Sequence, residues 1–203
     1  MSARAVTRLV VIDAQRAFVD PAGSLWRLHG PDEIQPGLAA LDRLRELLRS
    51  RDYAGATIWV RSEYVPGQFT GGDLSAGMAQ VCVPGANVDC EWADGFAESM
   101  SPGDLVVTKR HDDAWQSLEF RSAIEDAVGS GVTRIVFVGF QFTTCVVASA
   151  LSTQQALRGR SVQVAVIESL TGSRVSSHRS GASGVSRMES TRRQLAAAGV
   201  EVV

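Results

Sequence analysis

Three residues of this 203-residue sequence could act together on an electrophile: a carboxylate, an ammonium and a thiol. Asp13 ends the apolar run LVVID, Lys109 ends LVVTK, and Cys145 follows VGFQFTT. A thiol attacks as its thiolate, which a neighbouring cation and a helix N-terminus favour. A carboxylate near the sulfur can take its proton and later pass it to a leaving amine. The three residue types therefore suit nucleophilic catalysis.

Each of these residues also has an ordinary structural interpretation. A lone cysteine behind an apolar strand is most often a small buried side chain. An aspartate at a strand end often caps the next turn, and a lysine there is usually solvated. The functional interpretation is favoured only because all three residues follow different predicted strands.

Short β-branched runs alternate with amphipathic segments along the chain. The predicted strands are 8–13, 56–61, 104–109, 134–139, 162–168 and 200–203, and the predicted helices are 36–50, 117–129, 145–159 and 186–198. Continuous apolar strands are typical of a sheet that is buried on both faces. The alternation predicts an α/β fold, a three-layer α/β/α domain with a mainly parallel, Rossmann-like sheet of about six strands. The carboxyl ends of its strands should hold the site.

The chain is expected to form one domain over residues 1–203, because its length and its 45% hydrophobic content suit a single core. Residues 62–103 break the strand and helix rhythm with many Gly and several Pro. A long irregular segment in a compact domain is often functional. We expect it to form a wall or lid of the site, and residues 171–183 to form a second irregular segment.

The overall charge gives no reason to expect a nucleic acid or membrane partner. The formal net charge is −2 and the sequence pI is about 5.9, whereas such partners attract strongly basic surfaces. A small molecule is the expected partner. The sequence has no secretory h-region and no apolar run of membrane-spanning length, so a cytoplasmic location is expected. The three cysteines are then expected to be free thiols.

Three segments of the sequence resemble one known family. The segments are LVVIDAQRAFVDP, DLVVTKRHDDAW and VGFQFTTCVVASAL. In this order and spacing they are similar to the motifs of the isochorismatase-like cysteine hydrolases. That superfamily contains nicotinamidases, N-carbamoylsarcosine amidase, biuret and ureidoacrylate hydrolases, and isochorismatase. The resemblance extends over about residues 7–170.

The resemblance implies a catalytic role for each of the three residues. Asp13 would be the general base and acid, Lys109 the activating cation, and Cys145 the nucleophile. The backbone N–H groups of Gln141 and Cys145 would form the oxyanion hole, next to a cis Phe140–Gln141 peptide bond. The implied reaction is hydrolysis of a small-molecule amide, lactam or ureide C–N bond through a Cys145 thioester.

Aromatic residues near these motifs are expected to line the substrate pocket. They are Phe18, Trp115, Phe140 and Phe142. Two positions depart from the family pattern, because Asp113 stands where many members have Ser, and Phe142 where many have Thr. The fold is expected to accommodate Phe142 in a different strand-to-helix turn.

No metal and no cofactor are expected. The nicotinamidase metal motif, an Asp-x-His with a further His, is absent from WVRSEYVPGQ, and the three histidines have no ligand spacing. The resemblance also implies a homo-oligomer, a dimer or a tetramer. The sequence itself does not fix the number of subunits.

The substrate and the reaction stay open at this point. The irregular segment carries several acidic and aromatic residues, namely Glu63, Asp73, Asp89, Glu91, Asp94, Tyr64, Phe69 and Trp92. They would suit a cationic amide such as the antibiotic that a streptothricin hydrolase opens, although a solvated face is the commoner role of such charges. The alternatives are isochorismatase-type vinyl-ether hydrolysis, which needs no cysteine, and a non-catalytic binding or scaffold module.

Overall fold

The fold is a six-stranded parallel sheet with helices on both faces. The computed structural model describes residues 6–50, 55–69 and 78–203. The strands are β1 Thr7–Ile12, β2 Thr57–Ser62, β3 Leu105–Lys109, β4 Arg134–Phe140, β5 Gln163–Gly172 and β6 Glu201–Val202. The helices are α1 Arg16–Val19, α2 Ser24–His29, α3 Pro31–Ser50, α4 Leu118–Gly129, α5 Val147–Ala156, α6 Val175–His178 and α7 Arg187–Ala198. The strand order is β3-β2-β1-β4-β5-β6, and all five pairings are parallel.

Two apolar layers hold the helices against the sheet. On one face, α1, α2 and α3 bury residues such as Leu44 against Val11 and Trp59 of the sheet. On the other face, α4, α5 and α7 bury residues such as Phe120 against Phe137. Because both faces are covered, the central strands are apolar throughout. The predicted α/β/α architecture with about six strands is confirmed.

Several element boundaries differ from the sequence-based prediction. Helix α3 begins at Pro31, five residues before the predicted start, and contains Pro36 inside its second turn. The predicted helix 145–159 instead begins as a π-helical turn, Phe142–Val146, that leads into α5. The described part of the irregular segment 62–103 includes two short 3₁₀ turns, Val88–Cys90 and Ala97–Ser99. Residues 70–77 of that segment lie outside the described residues.

A close approach between β1 and β4 fixes the backbone where the strands end. Gly139 of β4 has a φ of 108°, and a Cβ on it would lie 2.0 Å from the carbonyl oxygen of Ile12. Only glycine fits this conformation and this spacing. Gly139 thereby positions the backbone immediately before Phe140 and Gln141. Within the described part of the chain, no helix is long and apolar enough to cross a membrane.

Candidate active site

The ends of β1, β3 and β4 bring Asp13, Lys109 and Cys145 together. Asp13 follows β1 directly, Lys109 is the last residue of β3, and Cys145 lies in the π-helical turn after β4. The Lys109 Nζ lies 2.9 Å from Asp13 Oδ2. All three side chains are almost fully buried, with exposures of 0%, 1% and 4% for Asp13, Lys109 and Cys145. The site is therefore a desolvated cluster of a carboxylate, an ammonium and a thiol.

Two hydroxyl groups at the end of β2 join this cluster, and the sequence-based prediction missed both. The Ser62 Oγ donates to Asp13 Oδ1 at 2.9 Å. The Lys109 Nζ donates to Ser62 Oγ at 2.7 Å and to Tyr64 Oη at 3.3 Å, and the two hydroxyl oxygens lie 2.9 Å apart. Ser62 and Tyr64 thereby hold the Lys109 ammonium and the Asp13 carboxylate in one geometry.

The Gln15 side chain fixes the two strand ends that carry Asp13 and Ser62. Its Oε1 accepts from the Ser62 N–H at 2.6 Å, and its Nε2 donates to the Ser62 carbonyl oxygen at 3.1 Å. The Asp13 N–H donates to the Val60 carbonyl oxygen at 2.8 Å, and Asp13 has a φ of 51°, which is uncommon outside glycine. The buried side-chain amide of Gln15 has backbone hydrogen-bond partners for both its oxygen and its nitrogen, so its role is to order the two strand ends.

Burial and mutual attraction govern the charges of Asp13 and Lys109. Burial raises the pKa of the Asp13 carboxyl, although Lys109 and Ser62 act to lower it. Burial alone would lower the pKa of the Lys109 ammonium, but the Asp13 carboxylate outweighs this effect and holds the pKa well above its ordinary value. Lys109 is therefore a permanent cation, and Asp13 is a carboxylate that binds a proton more readily than an exposed one.

The environment of Cys145 differs from the one expected from sequence. Burial raises the pKa of its thiol to about 12, Lys109 opposes this, and Asp13 and Asp112 reinforce it. The Sγ donates to Asp112 Oδ1 at 3.8 Å. Lys109 thus acts in the expected direction, favouring the thiolate, but burial outweighs its effect on the thiol pKa in this site. Asp13 is a neighbouring carboxylate that interacts with this thiol.

A cavity of about 490 Å³ opens onto Cys145. It is lined by Phe18, Leu25, Leu28, His29, Tyr64, Phe69, Met78, Val81, Asp112, Gln141, Thr144, Cys145, Arg174 and Arg187. Tyr64, Phe69, Met78 and Val81 come from the irregular segment 62–103, which forms one wall of the cavity. The peptide bond between Phe140 and Gln141 is cis.

Of the four aromatic residues expected in the pocket, Phe18 lines it and the other three pack elsewhere. Phe140 lies against α3 and β5 and is 1% exposed, and Phe142 is buried on the opposite face of the sheet. Gln141 between them lines the cavity. Trp115 packs edge-on against Phe120, with 6.2 Å between ring centroids. None of these three aromatic side chains lines this cavity.

Asp113, the other departure from the family pattern, has a structural role. Its Oδ1 accepts from the Trp115 N–H at 2.8 Å, and its Oδ2 accepts from the Ser152 Oγ at 2.7 Å. Asp113 thereby caps the 3₁₀ turn Ala114–Gln116 and ties it to α5. The carboxylate is occupied and does not face the cavity.

The acidic residues that the structure describes in segment 62–103 do not line this cavity either. Asp89 is fully buried and accepts from the Ser24 and Cys82 N–H groups. Glu63 pairs with Arg61, and Glu91 pairs with Arg16. The exposed residue Asp94 borders a different surface depression, and Asp73 lies outside the described residues.

The described residues contain no group of three or more His, Cys, Asp or Glu side chains that could hold a metal ion. The three histidines lie apart. His29 contacts Arg174, and His178 Nε2 lies 2.8 Å from Ser173 Oγ. His111 contributes its backbone carbonyl oxygen to Lys109, at 3.2 Å.

The fold and the site together define a parallel α/β domain with a thiol, an ammonium and a carboxylate at one cavity. A family profile described as "Isochorismatase domain" matches residues 7–200. The chain therefore belongs to the isochorismatase family of hydrolases. A comparison with curated proteins found no match.

Solved structures of similar fold cover nearly the whole chain. A pyrazinamidase of Pyrococcus horikoshii in complex with zinc is 16% identical, with a TM-score of 0.70 and 98% of each chain covered. A cysteine hydrolase from Pseudomonas syringae is 18% identical, with a TM-score of 0.66 over 100% of this chain and 93% of that one. An N-carbamoylsarcosine amidase from Thermoplasma acidophilum is 16% identical, with a TM-score of 0.60 over 97% of this chain and 94% of that one. At such identities the similarity is one of fold.

Proposed function

We propose that this protein is a cysteine-dependent hydrolase of a small-molecule amide, lactam or ureide C–N bond. The observation that carries the proposal is the convergence of Asp13, Lys109 and Cys145 at one cavity, with an Asp13–Lys109 distance of 2.9 Å. Desolvating a charged pair is costly unless the geometry compensates for it. Packing of an apolar core does not require a buried charged cluster, whereas proton transfer at a thiol requires a base close to the sulfur.

The first half of the proposed reaction forms a thioester. The Cys145 sulfur bonds to the amide carbonyl carbon while its proton passes to Asp13, whose raised pKa suits it as the acceptor. The N–H groups of Gln141 and Cys145 stabilise the oxyanion of the tetrahedral intermediate. The C–N bond then breaks, and the leaving amine takes the proton from Asp13.

The second half of the reaction restores the thiol. Water loses a proton to Asp13 and attacks the thioester carbonyl, the C–S bond breaks, and the sulfur regains its proton. Lys109 remains charged throughout and stabilises the carboxylate whenever Asp13 is ionised. Ser62 and Tyr64 keep Lys109 in place through their hydroxyl groups.

Ammonia or amine release across a panel of amides, lactams and ureides tests the proposed reaction. Cys145→Ala should lower turnover at least about a thousandfold, because the covalent route is lost. Wild-type amine release that survives Cys145→Ala would instead mean that the C–N bond is hydrolysed by a route that needs no cysteine. Cys90→Ala is the matched control, since Cys90 lies outside the cavity lining, and it should retain activity.

Labelling with iodoacetamide tests the nucleophile without knowledge of the substrate. Cys145 opens onto the cavity, whereas Cys82 is fully buried and its thiol pKa is raised by burial. Peptide mapping should show Cys145 modified before Cys82 and Cys90. Equally slow labelling of all three thiols would contradict a nucleophilic Cys145 and would favour a non-catalytic module.

A further inference from the structure

The cavity has a basic end formed by His29, Arg174 and Arg187. Arg174 follows β5, Arg187 begins α7, and His29 ends α2. The Arg174 Nη1 lies 2.6 Å from His29 Nε2. All three residues line the cavity that opens onto Cys145.

The two guanidinium groups have no carboxylate partner among the residues that the structure describes. No ion pair involves Arg174 or Arg187 there, and the Arg174 Nε is buried without a hydrogen-bond acceptor. Glu33 is the acidic side chain that attracts Arg174, but it accepts from the Ser176 N–H and pairs with Arg179. A half-buried guanidinium beside a second one is costly unless an anion neutralises it.

Burial and the charge of Arg187 lower the pKa of the Arg174 guanidinium from its ordinary value. Burial and the charge of Arg174 in turn lower the pKa of His29. The basic end is thus a place where positive charge is concentrated and incompletely compensated. A bound oxyanion would relieve both effects.

We propose that the substrate carries an oxyanion, a carboxylate in the first instance, that binds to Arg174, Arg187 and His29 while its amide lies at Cys145. This inference rests on the proposed hydrolase function and specifies its substrate class. Leu25 and Leu28 line the same cavity and suit an apolar spacer between the two groups. Asp112 beside Cys145 repels an anion from the thiol end, so it favours one orientation of the substrate.

The proposed charge is opposite to that of a cationic antibiotic. Among the carboxylates of segment 62–103 that suggested a cation, Glu63 and Glu91 are paired with arginines and Asp89 is buried among backbone N–H groups, and none of the three lines the cavity. Among the described residues that line the cavity, Asp112 is the only one with a carboxylate side chain. Arg174 and Arg187 in the same lining outweigh its negative charge.

Alkylating reagents of matched shape test the anion subsite. The reagents are N-substituted iodoacetamides with chains of equal length that end in a carboxylate, a phosphonate, an alkyl group or an amine. We compare their second-order rate constants for modification of Cys145 at low ionic strength. The carboxyalkyl reagent should react about tenfold faster than the alkyl reagent, and the aminoalkyl reagent more slowly than either. A still faster phosphonoalkyl reagent would identify the oxyanion as a phosphate group rather than a carboxylate.

Arginine variants test whether Arg174 and Arg187 cause the faster reaction of the carboxyalkyl reagent with Cys145. Arg174→Gln should abolish the advantage of the carboxyalkyl reagent, and the exposed Arg187→Gln should reduce it about threefold. Arg193→Gln is the matched control, because it removes the same charge from α7 outside the cavity and should leave the rate ratio unchanged. If Arg174→Gln does not fold, Arg187→Gln carries the test.

Two results would overturn the inference. One is equal Cys145 modification rates with all four reagents, and the other is an anion preference that survives both Arg174→Gln and Arg187→Gln. Either result leaves a reactive Cys145 and the hydrolase proposal intact. Failure of every reagent to modify Cys145 faster than Cys82 and Cys90 would instead overturn the hydrolase proposal, and with it this inference.

Discussion

Asp112 places a second carboxylate beside the Cys145 thiol, with 3.8 Å between Oδ1 and Sγ. Its charge contributes to the raised pKa of that thiol. Asp112→Asn should therefore lower the thiol pKa and speed iodoacetamide labelling at neutral pH by about threefold to tenfold. The labelling rate of Cys145 as a function of pH measures both changes.

The control for this prediction is Asp126→Asn. Asp126 is an exposed carboxylate on α4 that does not line the cavity, so its removal should leave the labelling profile of Cys145 unchanged. An unchanged or higher apparent pKa in Asp112→Asn would mean that Asp112 acts mainly as a hydrogen-bond acceptor that orders the thiol.

At the scale of single residues, the strand ends were the most informative signal in the sequence. Asp13, Lys109 and Cys145 were found because each follows a recognisable apolar run. Ser62 ends β2 in the same way, and the same criterion applied to the second strand would have found it. Asp112 and Arg174 lie in connections whose positions depend on tertiary packing, so no local pattern predicts that they line the cavity. The thiol pKa depends on burial, which the sequence also does not reveal.

At the scale of secondary structure, Gly139 fixes how closely β4 approaches β1. A methyl group there would lie 2.0 Å from the Ile12 carbonyl oxygen, at a φ of 108°. Gly139→Ala should destabilise the protein by about 3 kcal/mol or more, since both the backbone conformation and the steric contact oppose the side chain. Urea unfolding monitored by circular dichroism measures this loss.

Gly131→Ala separates the steric contact from the backbone conformation. Gly131 has a φ of 89°, but a Cβ on it would meet nothing within 4 Å. Its replacement should cost only about 1 kcal/mol. Equal losses of unfolding free energy in the two variants would contradict a specific role for the contact between β1 and β4.

The long, strongly patterned elements were predictable from sequence, whereas the short ones were not. The strands were recognised because continuous β-branched runs are required by a sheet that is buried on both faces. Helices α1, α2 and α6 have at most six residues each, too few for a helical period to be read. The π-helical turn at Phe142–Val146 was also missed, because its five residues join a strand directly to α5.

At the scale of the whole molecule, the alternation of strands and helices determined the layered parallel fold. It could not determine which helices meet at the cavity, since that depends on the strand order and on the path of segment 62–103. The expected homo-oligomer stays a prediction. The edge strand β3 exposes 44% of both Leu105 and Val106, which makes this edge a natural place to examine for a subunit contact.

The buried cluster should also make the stability of the whole molecule fall in alkaline solution. Burial raises the pKa of the Tyr64 hydroxyl, and the Asp13 carboxylate holds the pKa of Lys109 well above its ordinary value despite burial. The unfolded chain releases both protons near pH 10, whereas the folded chain keeps them. The contribution of Tyr64 and Lys109 to the free energy of unfolding should therefore be fully present below about pH 10 and decrease as the pH rises further.

Tyr64→Phe removes the Tyr64 hydroxyl, and with it one of the two protons released on unfolding, while keeping the aromatic ring. At neutral pH the variant should lose about 1 kcal/mol, because the hydroxyl contacts with Ser62 and Lys109 are gone. Above pH 10 the unfolding free energy of the wild type should fall more steeply than that of the variant, and the two slopes should differ by about 1.4 kcal/mol per pH unit. Urea unfolding from neutral pH to about pH 11 compares the two slopes. Parallel curves over that range would mean that Tyr64 ionises normally in the folded protein, in conflict with the burial of its hydroxyl group.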